Sequence, residues 1–153
     1  MFFQKLADAN QITFLDGADS WQEAVQLSCQ SLVTNGAVDA DYADQVIACV
    51  EKYGPYIVVV PGLAIPHCNE GNPSVHRSTI AYTKFQKEIL FPFPEDTRSA
   101  NLFFTLAASD PNTHLDNMAY LFNILSDEEV FRQVQEANSV EDLLKIDSLI
   151  PQI

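Results

Sequence analysis

The chain has 153 residues, enough for one closed core and short for two. A hydrophobic share of 47% excludes a disordered or fibrous chain. The formal net charge of −13, from 21 acidic against 8 basic side chains, disfavours nucleic acid and anionic lipid as partners and favours a basic protein.

Met1 to Leu6 lacks the basic start and long apolar core of a signal peptide. The longest apolar stretch, Tyr56 to Pro66, is too short to span a bilayer and carries Pro and Gly. A cytoplasmic chain without membrane insertion is expected. Cys29, Cys49 and Cys68 are odd in number, show no paired spacing and fit a reducing compartment. Cys29 and Cys49, among apolar neighbours on predicted helices, are expected to be buried.

Ile12 to Leu15 predicts a short strand closed by Asp16-Gly17. Ser20 and Glu23 form a capping box, and Trp21, Ala24, Val25, Leu27 and Leu32 follow at roughly helical spacing up to Asn35-Gly36. A second helix runs from about Asp39 to Tyr53 with Tyr42, Val46, Ile47, Val50 and Tyr53 as its apolar face, and Gly54-Pro55 stops it. Tyr56 to Val60 reads as a buried strand. Cys68 to Val75 is polar and loop-like. Thr79 to Thr83 alternates as a strand does, Ile89 to Pro94 reads as a loop with aromatic anchors, and Asn101 to Ala108 reads as a strand buried on both faces. Asp110-Pro111-Asn112-Thr113 turns into a helix that ends near Leu125. Ser126 with Glu129 reads as a second capping box, and Ser139 starts a terminal helix. Helices before, between and after strands point to one α/β domain over residues 1–153 with a mixed sheet.

The chemistry concentrates at Pro61-Gly62-Leu63-Ala64-Ile65-Pro66-His67. Pro66 fixes its own φ and pushes Ile65 out of the helical region, so His67 stands on a pinned bend after a strand. A His held this way can act as nucleophile, ligand or acid/base group. His114 lies in the first turn of a helix that follows a strand, where α/β proteins place ligand sites and where backbone N–H groups attract anions. His76 sits in the polar loop. A metal site would draw on His67, Cys68, His76 and His114, whose spacing matches none of the usual zinc patterns. Cys68 beside His67 does not make a catalytic thiol–imidazole pair, because neighbouring residues in an extended chain point in different directions.

The segment Gly54-Pro55-Tyr56-Ile57-Val58-Val59-Val60-Pro61-Gly62-Leu63-Ala64-Ile65-Pro66-His67 resembles the active-site segment of the EIIA domains of the bacterial phosphoenolpyruvate-dependent sugar phosphotransferase system. It is most similar to the ascorbate-type branch of the mannitol/fructose superfamily. Thr113-His114-Leu115, after a strand ending in Ala107-Ala108-Ser109-Asp110, resembles the family's second His segment, and the ending from Leu125 to Leu144 is similar too. The resemblance implies a single α/β domain with a mixed five-stranded β-sheet flanked by helices. It implies that His67 takes phosphate from the phosphohistidine of HPr, on Nε2 by family precedent, and passes it to an EIIB that serves a membrane EIIC. His114 would stabilise the phosphoryl group. No cofactor or metal is implied, and no phosphate-binding G-x-x-x-x-G-K-[ST] loop occurs. Where the ascorbate-type branch commonly carries a basic residue two positions after the His, this chain has Asn69, which donates without charge. Arg77 in the same loop is the candidate substitute, and Thr113 a candidate phosphoryl or partner contact. Three other outcomes remain open at this level: a regulatory EIIA-like protein whose His67 phosphorylation controls protein binding, a metal-binding module, and a pure scaffold for which neither phosphate nor metal matters.

Overall fold

A computed structural model describes residues 1–68 and 72–150. Its centre is a five-stranded mixed sheet of β1 (Ile12–Leu15), β2 (Val58–Val60), β3 (Gly62–Ala64), β4 (Thr79–Phe91) and β5 (Arg98–Ala107), in the order β1-β4-β5-β3-β2. β4 and β5 form the long antiparallel pair, while β1 lies parallel to β4 and β3 parallel to β5. The two faces of β5 follow the two-residue period of a strand. Phe103 and Ala107 face one core, and Leu102, Phe104 and Leu106 face the other.

Helices cover both faces. The first core packs α2 (Trp21–Thr34) and α3 (Tyr42–Tyr53) on the sheet through Val25, Cys29, Leu32, Val46 and Val50. The second packs α1 (Phe2–Asp8), α4 (Pro111–Leu125), α5 (Glu128–Glu136) and α6 (Val140–Ile146) through Phe3, Leu121, Val130, Val134 and Leu143. Ser20 caps α2 by accepting from the Glu23 amide at 3.1 Å, and the Glu23 carboxylate reaches back to the Asp19 amide at 3.0 Å. Tyr42 ties α3 to the sheet by donating to the Leu106 carbonyl at 2.6 Å.

Several boundaries differ from those predicted. β4 continues through Leu90 and Phe91, because pairing with Ser99 and Arg98 outweighs the local loop signal of the prolines that follow. The strand expected over 56–60 is only Val58–Val60, and Val60 is exposed because β2 is the sheet's edge. Residues 62–64 after Pro61 return as β3, with Gly62 at φ 89° turning the hairpin. Tyr53 is exposed rather than on the packed face of α3. Cys49 is only half-buried, whereas Cys29 is fully buried. Asp127, not Ser126, caps α5, accepting from the Glu129 and Val130 amides, while Ser126 closes α4. Its carboxylate reaches two amides at once, which a hydroxyl does less well.

Lys84 lies on the second-core face, 7% exposed, and donates to the Gln135 and Ala137 carbonyls at 2.6 Å each. Burial pushes its ammonium below the ordinary range, and Asp142 opposes that shift. Tyr82 faces the same core, fully buried, and among the described residues its hydroxyl has no hydrogen-bond partner. An unpaired buried hydroxyl is a desolvation cost with no return. Tyr82→Phe is therefore expected to hold or raise stability, by up to about 1 kcal/mol, seen as an unchanged or higher urea midpoint. A lower midpoint would mean that the hydroxyl has a partner in solution.

Candidate functional site

β3 and β5 run parallel, so their C-terminal ends lie at the same edge of the sheet. Leu63 pairs with Leu102 and Ala64 with Phe103, and the Leu106 amide extends the ladder to the Pro66 carbonyl at 2.9 Å. One residue beyond Pro66 stands His67. Beyond the end of β5 the chain turns into α4, which carries His114 in its first turn. Two histidines distant in sequence thus meet, with ring centroids 5.6 Å apart and planes inclined by 43°. Both are half-buried.

The His67 ring is fixed by its own bend. Nδ1 lies 2.6 Å from the Ile65 carbonyl oxygen. A carbonyl only accepts, so the proton sits on Nδ1, and Nε2 of the neutral ring carries the lone pair. Tyr56 holds the same residue from behind: its hydroxyl donates to the His67 carbonyl at 2.7 Å, and its ring meets the imidazole edge-on at 5.1 Å. Burial, with the Cys49 and Cys68 thiols nearby, pushes the Tyr56 phenol above its ordinary range and keeps it a donor. The sequence marked Tyr56 only as a strand residue. Tyr56 in fact precedes the strand, which spans only Val58–Val60.

His114 is positioned by Asp110. That residue is the extended N-cap of α4, with Pro111 at the first helical position, and the His114 amide closes the first helical bond to the Asp110 carbonyl at 3.1 Å. The Asp110 carboxylate accepts from the Thr113 amide and the Thr113 hydroxyl, each at 2.8 Å. Those bonds, with lesser ones from the Asn112 amide and the Ser109 side chain, hold the carboxyl below its ordinary range. The resulting stabilisation is complete above the unfolded carboxylate's titration and is lost as pH falls through the depressed folded value.

The amide cradle expected at this terminus is therefore occupied from within. Pro111 has no N–H, and the next three amides serve Asp110. The His114 ring and the exposed Asn112 side-chain amide are the remaining candidate donors on this turn. Asp110→Ala is expected to fray the first turn of α4 and to slow any transfer that uses His114 by about tenfold to a hundredfold through misplacement. Asp110→Asn, which keeps a cap, should retain most of the rate. Equal rates in Asp110→Ala and the wild type would remove Asp110 from this role.

The remaining candidates fall at different distances from this pair. Thr113 precedes His114, with its hydroxyl proton engaged by Asp110. Arg77 is exposed and shares with Thr113 a cleft of about 610 Å³ that also takes in Lys5, Gln11 and Asn35. The Ser109 amide donates to the Ser78 hydroxyl at 2.8 Å, which ties Arg77's strap to the turn before α4. Asn69 lies outside the described residues. His76 is exposed and pairs with Asp39 at 2.7 Å, away from the two-histidine site in its contacts. Among the described residues no group of three or more His, Cys, Asp or Glu could hold a metal ion. Cys68 meets Cys49 of α3, Sγ to Sγ 3.2 Å, a neighbourhood that the spacing of the two cysteines did not reveal.

Comparison with known proteins meets the same segment. The model of the family described as phosphoenolpyruvate-dependent sugar phosphotransferase system, EIIA 2, matches residues 5–148. The chain is 31% identical over 144 residues to the ascorbate-specific PTS system EIIA component of Salmonella choleraesuis (strain SC-B67), covering 92% of this chain and 91% of that one. The solution structure of the mannitol-specific cryptic phosphotransferase enzyme IIA CmtB from Escherichia coli superposes with a TM-score of 0.82 at 25% identity, over 95% of this chain and 97% of that one. The same fold occurs in Escherichia coli enzyme IIAMTL, solved in complex with phosphorylated enzyme IIBMTL, at a TM-score of 0.75 and 24% identity over 90% and 94% of the two chains. A family match across nearly the whole length, together with a full-length relative at that identity, places the chain plainly: it belongs to the EIIA 2 family of the phosphoenolpyruvate-dependent sugar phosphotransferase system, whose members are phosphotransferase components.

Proposed function

We propose that this chain is the cytoplasmic phosphocarrier of an ascorbate-type sugar phosphotransferase system, with His67 as the residue that carries phosphate. The observation that carries this reading is the Nδ1–H bond from His67 to the Ile65 carbonyl, which leaves the lone pair on Nε2 of a ring whose centroid lies 5.6 Å from that of His114. Nε2 attacks the phosphorus of phosphohistidine in HPr. The new N–P bond forms as the old one breaks, and the departing imidazole takes back its lone pair. No proton has to move, because the His67 ring keeps its hydrogen on Nδ1 throughout. The demand on the protein is in-line placement and stabilisation of the equatorial oxygens. The Ile65 and Tyr56 contacts supply the first, and a ring N–H of His114 supplies the second.

The second half of the cycle passes the phosphoryl group from His67 to a cognate EIIB, which in turn serves a membrane EIIC. Support for EIIB as acceptor comes from the fold relative solved with phosphorylated enzyme IIBMTL. Support for the ascorbate-type branch comes from the name of the curated relative at 31% identity. Among the described residues no helix is long and apolar enough to cross a membrane, as a cytoplasmic role requires. Arg77, on the strap beside the α4 turn, would supply the positive charge that Asn69 lacks, either to the phosphoryl oxygens or to a partner.

The test is competition between acceptors. Phosphorylated chain is mixed separately with purified EIIB domains of ascorbate and mannitol systems, and loss of phosphate is followed over time. Preferential discharge to the ascorbate-type EIIB supports the reading. Discharge to mannitol EIIB alone would reassign the branch, and discharge to neither would favour a regulatory role.

A further inference from the structure

We propose that Cys49 and Cys68 form a redox modification site next to the carrier histidine, joined into a disulfide by oxidants of the peroxide class. The two thiols come from different elements. Cys49 is on the last turns of α3, and Cys68 directly follows His67. Their sulfur atoms are 3.2 Å apart, so bond formation at about 2.05 Å asks for a closing movement of about one ångström. Both are half-buried, whereas Cys29 is fully buried and burial pushes its thiol up to about 12. The protein thus holds two neighbouring accessible thiols and one internal control that reacts poorly.

The chemistry balances with peroxide as the only co-reactant. The thiolate of one cysteine attacks an oxygen of hydrogen peroxide, giving a sulfenic acid and hydroxide, which leaves as water after taking up the thiol proton. The second thiol displaces the sulfenic hydroxyl as another water and forms the S–S bond. Two thiols are oxidised, one peroxide is reduced, and a dithiol reverses the change.

The position of the pair gives the bond a consequence. Tyr56 bonds to the His67 carbonyl and neighbours Cys49, so Cys49, Tyr56, His67 and Cys68 form one connected set. Closing the S–S bond draws the backbone after His67 toward α3 and shifts the imidazole against Ile65 and His114. Slower phosphoryl loading then follows if the function proposed above holds. The crosslink and the ring displacement do not depend on it.

The full-length protein is treated with hydrogen peroxide, denatured, alkylated and weighed. Histidine ring resonances are recorded by ¹H–¹⁵N NMR before and after. The expected product is lighter by two hydrogens, alkylates only at Cys29, and yields a peptide joining Cys49 to Cys68. His67 ring resonances move, and dithiothreitol restores both readouts. Cys49→Ser and Cys68→Ala should each abolish the crosslink and the peroxide-induced movement of His67. Three alkylated thiols, a sulfinic acid without a crosslink, or a crosslink with His67 resonances unmoved would each overturn the proposal. A protein that never accepts phosphate would refute the proposed function while leaving these readouts intact.

Discussion

His67→Ala is expected to abolish covalent phosphate acceptance and leave the fold standing. Loss is expected to be complete rather than partial because, among the described residues, His67 is the histidine whose tautomer is fixed by a backbone carbonyl, at Ile65, so that Nε2 bears the lone pair. His114 has a ring in the site, but it rides on the helix turn built around Asp110. The strand residues that position His67 are bonded through their backbones, at Ile65 to Ile57 and at Pro66 to Leu106, and these bonds survive truncation of the side chain. The half-buried ring gives up its Nδ1–H bond to the Ile65 carbonyl and its ring contacts with Tyr56 and His114. The stability change should stay within about 2 kcal/mol. Intact mass after exposure to phospho-HPr reads the first effect and a urea melt the second. A phosphorylated His67→Ala protein would move the acceptor elsewhere.

His114→Ala should slow passage to EIIB by about a hundredfold, the cost of removing one donor from a developing charge. Loading should fall by less. During loading the acceptor ring is already nucleophilic, since the Ile65 carbonyl fixes its tautomer, and it needs little from its neighbour. During passage the phosphoryl group must be held in line for a second partner, and the ring neighbouring His67 is that of His114, with centroids 5.6 Å apart. His114→Gln, whose amide can donate, should recover part of the passage rate. Rapid-quench measurement of the two steps separates them. Passage at the wild-type rate in His114→Ala would show the assigned role to be wrong, whereas loss of loading alone would place His114 at the HPr step.

The settings of the two candidate histidines were legible in the sequence because each is local. Pro66 fixes its own φ and restricts Ile65 just before His67, and the strand before Pro61 announces itself through Tyr56 to Val60. The same holds for His114, since Asp110-Pro111 is a helix start by residue type alone. What brings the two together was not legible. The parallel pairing of β3 with β5 joins segments almost forty residues apart, and three-residue strands carry too little periodicity to specify a partner.

Helix α1 escaped for a related reason. It has no side-chain cap of its own, and the Phe3 and Gln4 amides are instead satisfied by Asp147, 2% exposed, from the other end of the chain. Propensity cannot see a cap supplied across 144 positions. The Cys49–Cys68 contact was hidden likewise, because helix α3 and the bend after β3 become neighbours only once the sheet is assembled. The amide cradle at α4 failed differently. Its position was right, but Asp110 turns inward and takes the amides that an anion would use.

The most direct test of the phosphocarrier account is intact mass and ¹H–¹⁵N NMR on the chain after incubation with phosphoenolpyruvate, enzyme I and HPr. The account expects one acid-labile phosphate, on Nε2 of His67, with Nδ1 still protonated. A phosphate on Nδ1, a phosphate on another residue, or no phosphate while HPr is demonstrably charged would contradict it.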